Sequence, residues 1–277
     1  DLSPQNLHVV VGAGRESVEA HLAEVAPSAR PIFQERRGGT GHAVQIALAD
    51  VKASGTVLVV AGDTPLLTSD SLSQLIDVHH SQKSAATVLT ADHVDPTGYG
   101  RILRSDDDQI SRIIEEKDAS DVEREITEVN SGVYVFDGEK LAATIGKLTA
   151  ANAQKELYLT DVIALLREAG ERVIPILTPD FIEILGVNDR AQLAECAAVL
   201  RDRINDEYMK NGVTLIDPTT TWIDATATIE PDATIFPGSG IYGASKIAKG
   251  AIIGPRTTLF DCTVSAGASV IESYCID

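Results

Sequence analysis

The stretch Ile223–Leu259, IDATATIEPDATIFPGSGIYGASKIAKGAIIGPRTTL, decides the fold of the second half of the chain, because its pattern repeats every six positions. One column is apolar, and a second column, four positions further on, is small. The apolar column holds Ile223, Ile229, Ile235, Ile241, Ile247, Ile253 and Leu259, is interrupted by Ser265 and resumes at Ile271, while the small column holds Ala227, Ala233, Ser239, Ser245, Ala251, Thr257, Thr263, Ser269 and Cys275. A period of six fits neither an α-helix nor a single flat sheet. It predicts a parallel β-helix of about three coils, with three hexapeptides in each coil.

The segment before this repeat has a different period. Apolar residues recur every three or four positions over residues 190–212, and Asn211-Gly212 follows the last of them. The apolar face consists of Leu193, Ala197, Leu200, Ile204 and Tyr208. This spacing predicts one long amphipathic helix that serves as a connecting arm.

The first part of the chain alternates apolar runs with helix-like segments. The predicted strands are LHVVVG, TVLVVAGD, AATVLTADH and SGVYVFD, and GRILRSDDDQISRIIEEKD predicts a hairpin with an acidic turn. The predicted helices are Glu16–Val25, SLSQLIDVHHSQ and LTDVIALLREAG, the last ending at Gly170. This alternation predicts an α/β domain with a mostly parallel sheet. The chain therefore divides into an α/β domain (1–190), an arm helix (191–217) and a β-helix (218–277).

Composition limits the function classes. The 277 residues carry a net charge of −18, which argues against nucleic acid or an anionic membrane as a partner. An acidic enzyme can still bind phosphates through Mg²⁺. The three cysteines predict free thiols in a reducing compartment, the cytoplasm. No apolar run reaches membrane-spanning length, no signal peptide opens the chain, and the absence of Met at the start predicts a piece cut at both ends.

Two glycine-rich segments raise the possibility of phosphate binding. QERRGGTGHA (34–43) opens a helix-like segment, where free backbone N–H groups could hold a phosphate or another part of a nucleotide. VVGAGRES (10–17) has Ser17 where a dinucleotide fingerprint needs a third glycine, which favours a structural turn.

Asp63 is the first candidate metal ligand. It follows the apolar run VLVVAG, and parallel α/β sheets bind ligands beyond the carboxyl ends of their strands. Its alternative role is to cap the next helix, but Ser69 or Asp70 suits that role better. Taken singly, the other polar segments have simple interpretations. DPTGYGRI suggests a turn, EEKD (115–118) a solvated charge run, Asn130 a side-chain turn, Asn188 a helix cap, and Cys196 a packing residue on the arm helix.

The order of these segments resembles one family. GGTGHA, GDTPLL, DPTGYGRI, IEEKDA, EVNSGVY, YLTDVI and GVNDR precede an arm helix and hexapeptides. The chain resembles the bacterial bifunctional N-acetylglucosamine-1-phosphate uridyltransferase / glucosamine-1-phosphate acetyltransferase over nearly all its length. Other sugar nucleotidyltransferases share the GD strand, and some carry a β-helix. The resemblance implies a Rossmann-like nucleotidyltransferase domain, an arm helix and a left-handed parallel β-helix that forms a homotrimer.

The resemblance also implies the reaction and its residues. UTP and N-acetylglucosamine 1-phosphate would give UDP-N-acetylglucosamine and pyrophosphate, with Mg²⁺ as cofactor. Gln34, Gly39 and Thr40 would contact the uracil and ribose, Ala61 and Gly62 would flank the nucleotide, and Gly100, Glu115 and Asn130 would bind the sugar. Asp63 and Asn188 would hold the metal. Ala61 stands where the family often has an aromatic residue, so its contact could only be through backbone.

Two features limit this expectation. The family's phosphate loop, Gly-x-Gly-Thr-x-Met with a later Pro-Lys, is absent from the sequence. The chain alone is therefore expected to lack uridyltransferase activity, to bind uridine weakly, and to leave strands beside the absent first strand with an unpaired edge. The acetyl-transfer residues are expected beyond residue 277. The alternatives are a uridylyl- or thymidylyltransferase for glucose 1-phosphate, and a non-catalytic trimerisation module.

Overall fold

The computed structural model describes residues 2–49, 51 and 53–277. By contacts between Cα atoms the chain divides into two units, Asp1–Leu185 and Gly186–Asp277. No helix in the described part of the chain combines the length and apolar character needed to cross a membrane.

The first unit alternates strands and helices, as the sequence predicts. Its strands are β1 (His8–Val11), β2 (Arg30–Phe33), β3 (Thr56–Val59), β4 (Ala86–Asp92), β5 (Arg101–Arg104), β6 (Ile110–Ile114), β7 (Glu128–Asp137) and β8 (Val173–Leu177). Its helices are α1 (Arg15–Val25), α2 (Thr40–Ala49), α3 (Ser69–Gln82), α4 (Asp121–Arg124), α5 (Gly138–Ile145) and α6 (Asp161–Glu168). A 3₁₀ turn follows at Phe181–Ile184.

The main sheet has six strands, in the order β6-β5-β7-β4-β8, with β3 also paired to β7. β4 and β8 are parallel, whereas β7 runs antiparallel to β3, β4 and β5. Strands β3, β4, β5 and β8 therefore share one direction, and β7 and β6 run against it. The predicted α/β class and the common direction of most strands are confirmed. The insertion of β7 makes the sheet mixed.

The core of this unit lies on both faces of the sheet. β4 is buried over six consecutive residues, which explains its unbroken apolar and threonine sequence. β3 differs from the expected buried strand, since its side chains are only part-buried and Val60 is 41% exposed. Among the described strands β3 pairs with β7 alone, and β1 pairs only with β2. One edge of β3 consequently has no strand neighbour there.

Local signals explain several element boundaries. Helix α3 buries Leu75 and His79. Its N-cap is Thr68, whose hydroxyl accepts a hydrogen bond from the Ser71 N–H, so the predicted caps Ser69 and Asp70 were wrong. The predicted acidic hairpin turn joins β5 and β6, and Gly170 adopts a φ of +77° after α6.

The second unit contains the arm helix α7 (Arg190–Lys210) and short parallel strands. The strands are β9 (Thr214–Leu215), β10 (Trp222–Ile223), β11 (Thr228–Ile229), β12 (Thr234–Ile235), β13 (Gly240–Tyr242), β14 (Lys246–Ile247), β15 (Ile252–Ile253), β16 (Thr258–Phe260), β17 (Thr263–Val264), β18 (Ser269–Val270) and β19 (Tyr274–Ile276). They form three parallel sheets, β10-β13-β16-β19, β11-β14-β17 and β18-β15-β12-β9. The predicted parallel β-helix is confirmed by this cyclic pairing, in which every third strand stacks on the last.

The apolar column of the sequence becomes the interior of the β-helix. All seven of its residues from Ile223 to Leu259 are at most 8% exposed, and the small residues Ala227 to Thr257 are also buried. Ile223 pairs with Ile241 and Ile241 with Leu259, a step of 18 residues for each coil.

The columns shift after Leu259, and the sequence prediction fails there. Val264 pairs with Ile247 and Val270 with Ile253, steps of 17 residues. Cys275 then pairs with Leu259, a step of 16. Consequently Val264, not Ser265, continues the apolar column, and Ile271 is 55% exposed.

Each shift occurs at a corner that has lost one residue. Asp261 and Glu272 occupy these corners with positive φ values of 55° and 46°. Asp261 also accepts a hydrogen bond from the Ala244 N–H of the preceding coil at 2.8 Å, which ties the shortened corner to its neighbour. Positive φ is not specific to the shortened corners, since Asp232 and Arg256 have it at corners of full length.

Helix α7 packs on the first coil through the second half of its predicted apolar face. Ile204 and Tyr208 contact the β-helix core, and the Tyr208 hydroxyl donates to the Ala227 carbonyl at 2.7 Å. Asn205 is 1% exposed and its amide donates to the Pro218 and Thr221 carbonyls. Cys196 is buried, as expected. Leu193 and Leu200 are 54% and 42% exposed, so the predicted apolar face is wrong in the first half of the helix.

Candidate active site

The candidate site lies along one edge of β7. β3 and β5 run in the same direction beside β7, with Val59 opposite Tyr134 and Arg101 opposite Val129. The carboxyl end of β3 and the start of β5 therefore approach each other across a gap on this edge. The residues of β7 between these two pairs, from Asn130 to Val133, form the floor of the gap.

A β-bulge shapes this floor. The register between β4 and β7 shifts between Val88 and Thr90, which places extra residues of β7 at Ser131–Val133. Gly132 has a φ of +78°, and its N–H donates to the Asn130 side-chain oxygen at 3.3 Å. The side-chain turn expected at Asn130 is confirmed, but Asn130 lies inside the strand rather than before it.

The segment after β3 supplies the exposed carboxylate. The Thr64 hydroxyl donates to the Ala61 carbonyl at 3.0 Å, which closes a turn that holds Gly62 and Asp63. A methyl group at Gly132 would lie 3.7 Å from the Ala61 Cβ, so this turn borders the β7 bulge. Asp63 is exposed and makes no hydrogen bond or ion pair with the described residues. Its carboxylate is therefore available to a ligand.

Gly100 approaches the bulge from the other side. Its carbonyl accepts the Asn130 N–H at 2.9 Å, and a methyl group there would lie 3.2 Å from Ile113. The next residue, Arg101, is only 2% exposed. Its guanidinium donates a hydrogen bond to the Tyr99 carbonyl. The guanidinium also forms an ion pair with Glu116 at 2.7 Å, in which the Glu116 oxygen accepts no hydrogen bond. This buried cation holds the glycine turn against the segment after β6.

That segment, EEKD (115–118), is solvated only in its second half, since Lys117 and Asp118 are exposed and Glu115 and Glu116 are half-buried. Glu115 accepts a hydrogen bond from the Thr160 hydroxyl at 2.9 Å. Lys117 donates to the Gln154 side chain, and Asp118 accepts bonds from the Ala153 N–H and the Tyr158 hydroxyl. The partners come from residues 152–160, far along the chain, which is why the local sequence did not reveal them.

The charge environment of Glu115 is unfavourable to ionisation. Burial raises the pKa of Glu115 most, and the charges of Asp161 and Asp118 raise this pKa further, whereas the Thr160 hydroxyl opposes the shift. Burial and Asp118 also raise the pKa of Asp161. Burial of the Glu115 carboxyl group is unfavourable for its charged form, which indicates a role in binding rather than in stability.

Removing the charge of Glu115 and removing the charge of its neighbour Glu116 should therefore change the free energy of unfolding in opposite directions. Because the folded-state pKa of Glu115 lies above 4.5, its contribution to stability is present at low pH and is lost as pH rises through that pKa. Glu115→Gln should raise the free energy of unfolding at pH 7.5 by about 1 kcal/mol. Glu116→Gln should lower it by about 2 kcal/mol, since Arg101 loses its partner.

Urea unfolding over a pH series that begins below 4.5 and ends at 7.5 measures both effects. The difference between Glu115→Gln and the unmodified chain should widen as pH rises from 4.5 through the folded-state pKa of Glu115, and level off above it. A destabilised Glu115→Gln variant at pH 7.5 would contradict the unfavourable burial of that carboxylate.

The glycine loop before α2 holds the predicted base-binding residues. The Gln34 amide nitrogen contacts the Gly39 carbonyl at 3.3 Å and His42 Nδ1 at 2.9 Å, which leaves the Gln34 side-chain oxygen free to accept a bond. Gly39 has a φ of +97°, and a methyl group there would lie 2.5 Å from the Leu157 carbonyl. Only glycine fits this position.

A cavity of about 440 Å³ opens beside this loop. It is lined by Gly12, Ala13, Gln34, Arg37, Gly39, Thr40, Ala43 and Glu156. The structure thus brings the three predicted base-binding residues to one cavity. Gly12 and Ala13, on the other wall of the cavity, were predicted only as a turn, although their place directly after β1 was a signal for a ligand site.

The segment Asn152–Thr160 connects the cavity with the sheet gap. Gly38 and Gly41 exchange backbone hydrogen bonds with Leu157 at 2.8 Å, and the Thr40 hydroxyl accepts the Leu159 N–H at 3.0 Å. The same segment ends at Thr160, the hydrogen-bond donor to Glu115. The two groups of predicted residues are therefore joined by one piece of backbone.

Asn188 belongs to the second unit. It precedes the actual N-cap of α7, Asp189, so the interpretation of Asn188 as the cap was wrong. Its N–H donates to the Gln192 side chain at 2.7 Å. Its side-chain amide makes no hydrogen bond with residues that the structure describes.

Comparison with known proteins identifies similar sequences. The pattern of the nucleotidyl transferase family matches residues 4–225. The chain is 49% identical over 273 residues to the "Bifunctional protein GlmU" of Streptomyces coelicolor, covering 98% of this chain and 57% of that protein. It is 43% identical over 281 residues to the protein of the same name from Corynebacterium diphtheriae, covering 100% of this chain and 58% of that one. The chain thus spans little more than half the length of these relatives.

A solved structure supports the fold. A Bacillus anthracis protein described as a glucose-1-phosphate thymidylyltransferase, in complex with sucrose, matches with a TM-score of 0.55 and 18% identity. The match covers 70% of this chain and 76% of that one. At this identity the likeness concerns the fold alone.

Proposed function

Because this chain belongs to the nucleotidyl transferase family, we propose that it carries the uridyltransferase part of a bifunctional GlmU protein. Family membership implies a nucleotide, a sugar phosphate and a divalent metal ion as reaction components. The proposed reaction joins UTP and N-acetylglucosamine 1-phosphate. An oxygen of the sugar phosphate attacks the α-phosphorus of UTP in line, and pyrophosphate leaves.

One observation carries this proposal. The residues suited to a base and those suited to a sugar lie on a single unit, joined by the segment Asn152–Thr160. Gln34 has a free acceptor oxygen that suits the N3–H of uracil, and the Thr40 hydroxyl keeps its own proton to donate. Glu115 and Asn130 offer acceptors and donors suited to sugar hydroxyls and an N-acetyl group.

The carboxylate of Asp63 suits a magnesium ion shared with the substrate, because it is exposed and has no partner among the described residues. Asn188, in the second unit, is proposed as a second oxygen ligand on the family resemblance. Among the described residues no group of three or more His, Cys, Asp or Glu side chains could form a metal cage by itself. Mg²⁺ characteristically binds one or two carboxylates together with substrate phosphates. When bound, it would supply part of the charge neutralisation that phosphoryl transfer requires.

Calorimetry with nucleotide sugars tests the proposal. UDP-N-acetylglucosamine should bind more tightly than uridine monophosphate, and more tightly than UDP-glucose or dTDP-glucose. Tighter binding of either glucose nucleotide would favour the glucose-1-phosphate alternative. The absence of binding heat for all four ligands would favour a non-catalytic assembly module. Pyrophosphate release from UTP, measured with each sugar phosphate in a form of the protein that turns over, provides the second criterion.

We also propose that the β-helix forms a homotrimer, and that the protein acts in the cytoplasm. Sedimentation of the purified chain measures its mass in solution. No residue of this chain is assigned to acetyl transfer.

A further inference from the structure

Tyr134 is a buried residue beside the candidate site, with the hydroxyl oxygen as its one polar side-chain atom. It lies on β7, is 3% exposed, and stacks on Phe136 with ring centroids 5.5 Å apart. Its hydroxyl oxygen accepts a hydrogen bond from the Asn130 amide nitrogen at 2.7 Å. The one polar side-chain atom of Tyr134, its hydroxyl oxygen, therefore contacts Asn130, a predicted sugar-binding residue.

This hydrogen bond fixes the orientation of the Asn130 carboxamide. The Asn130 oxygen accepts the Gly132 N–H at 3.3 Å, so the amide nitrogen is turned the other way. The reverse orientation would set the amide N–H₂ against the Gly132 N–H and leave both without an acceptor. With Gly132 and Tyr134 holding its two ends, the carboxamide keeps one N–H and one lone pair for a ligand.

Tyr134 also lies within electrostatic reach of Glu115. Burial raises the pKa of Tyr134 most, and the charge of Glu115 raises this pKa further. The phenol therefore remains a neutral hydroxyl over the physiological pH range. Tyr134 thus interacts with two of the three residues assigned to the sugar. It shares a hydrogen bond with Asn130, and the charge of Glu115 acts on its hydroxyl.

We propose that Tyr134 is a positioning residue that holds the Asn130 carboxamide for recognition of the sugar part of a nucleotide sugar. This inference rests on the proposed function of the site. Tyr134 itself touches neither the base nor the sugar. Its effect should therefore appear only with ligands that carry the sugar, and only while Asn130 is present.

The first test is Tyr134→Phe, which keeps the ring and removes only the hydroxyl. Calorimetry should show UDP-N-acetylglucosamine binding about fivefold more weakly, as expected for one lost hydrogen bond. Uridine monophosphate should bind with unchanged affinity. Tyr208→Phe is the matched control, because it removes a hydroxyl with the same 2.7 Å hydrogen bond in the other unit. This control should leave both affinities unchanged.

The second test is a double-mutant cycle with Asn130→Ala. Asn130→Ala should weaken UDP-N-acetylglucosamine binding in the unmodified chain and weaken it much less in the Tyr134→Phe chain. Additive losses would overturn the inference, as would an equal loss for uridine monophosphate or an unchanged affinity of Tyr134→Phe. If the unmodified chain bound UDP-N-acetylglucosamine no more tightly than uridine monophosphate, the proposed function itself would fail, and the inference with it.

Discussion

Asp63→Asn should lower uridyl transfer by about 100-fold or more, because a carboxylate ligand of the catalytic metal is lost. Asp63 is exposed at the end of β3 and has no partner among the described residues, so the substitution should not disturb the fold. Pyrophosphate release from UTP and N-acetylglucosamine 1-phosphate, measured in a form of the protein with turnover, provides the readout. Mg²⁺ is varied to saturation in each case.

Asp70→Asn is the matched control for this prediction. Asp70 is also exposed, but lies in the first turn of α3, where its charge faces the helix N-terminus. It should retain most of the activity. Near-normal turnover of Asp63→Asn at saturating Mg²⁺ would contradict the metal assignment.

Ile241→Asp should disrupt the β-helix and leave the α/β unit folded. Ile241 is fully buried between Ile223 and Leu259, and a carboxylate there would have no polar partner. The expected loss exceeds about 4 kcal/mol in the free energy of unfolding of the second unit. Any trimer should dissociate with it. Thermal unfolding followed by circular dichroism, together with the sedimentation mass, measures both effects.

Ile271→Asp is the matched control, because it tests a residue of the same sequence column that is not buried in the structure. Ile271 belongs to the same six-residue column of the sequence but is 55% exposed. Its substitution should change the unfolding temperature little. Equal damage from the two substitutions would mean that the corners after Leu259 are not shortened. An unchanged profile for Ile241→Asp would mean that the column is not core.

The sequence predicted the β-helix well because each hexapeptide buries the same two positions. Seven apolar and six small positions kept their assigned burial from Ile223 to Thr257 and Leu259. The prediction failed after Asp261, since a period says nothing about a corner that closes with one residue fewer. The apolar face of α7 was predicted correctly at Ile204 and Tyr208 and wrongly at Leu193 and Leu200. The spacing of apolar residues predicts that α7 is amphipathic, whereas the part of its apolar face that is buried depends on how far the β-helix extends along it.

The residues of the candidate site were selected in two ways. Asp63 could be selected from its place after an apolar run, whereas Gly100 and Asn130 were assigned to the sugar only through the family resemblance. The partners of the EEKD segment could not be predicted, because Thr160 meets Glu115 from 45 residues away. Tyr134 was read only as part of a strand, and its bond to Asn130 depends on the bulge at Gly132. Such contacts are set by tertiary packing, which a single sequence does not encode locally.

The shortened corners have a consequence for how such chains are compared. A deletion at a corner moves no side chain out of the interior, since the next strand simply arrives one residue earlier. An alignment that keeps a fixed reading frame of six falls out of phase by one residue after Asp261 and by two after Glu272. Equivalent positions in these coils are therefore found by counting strands rather than residues.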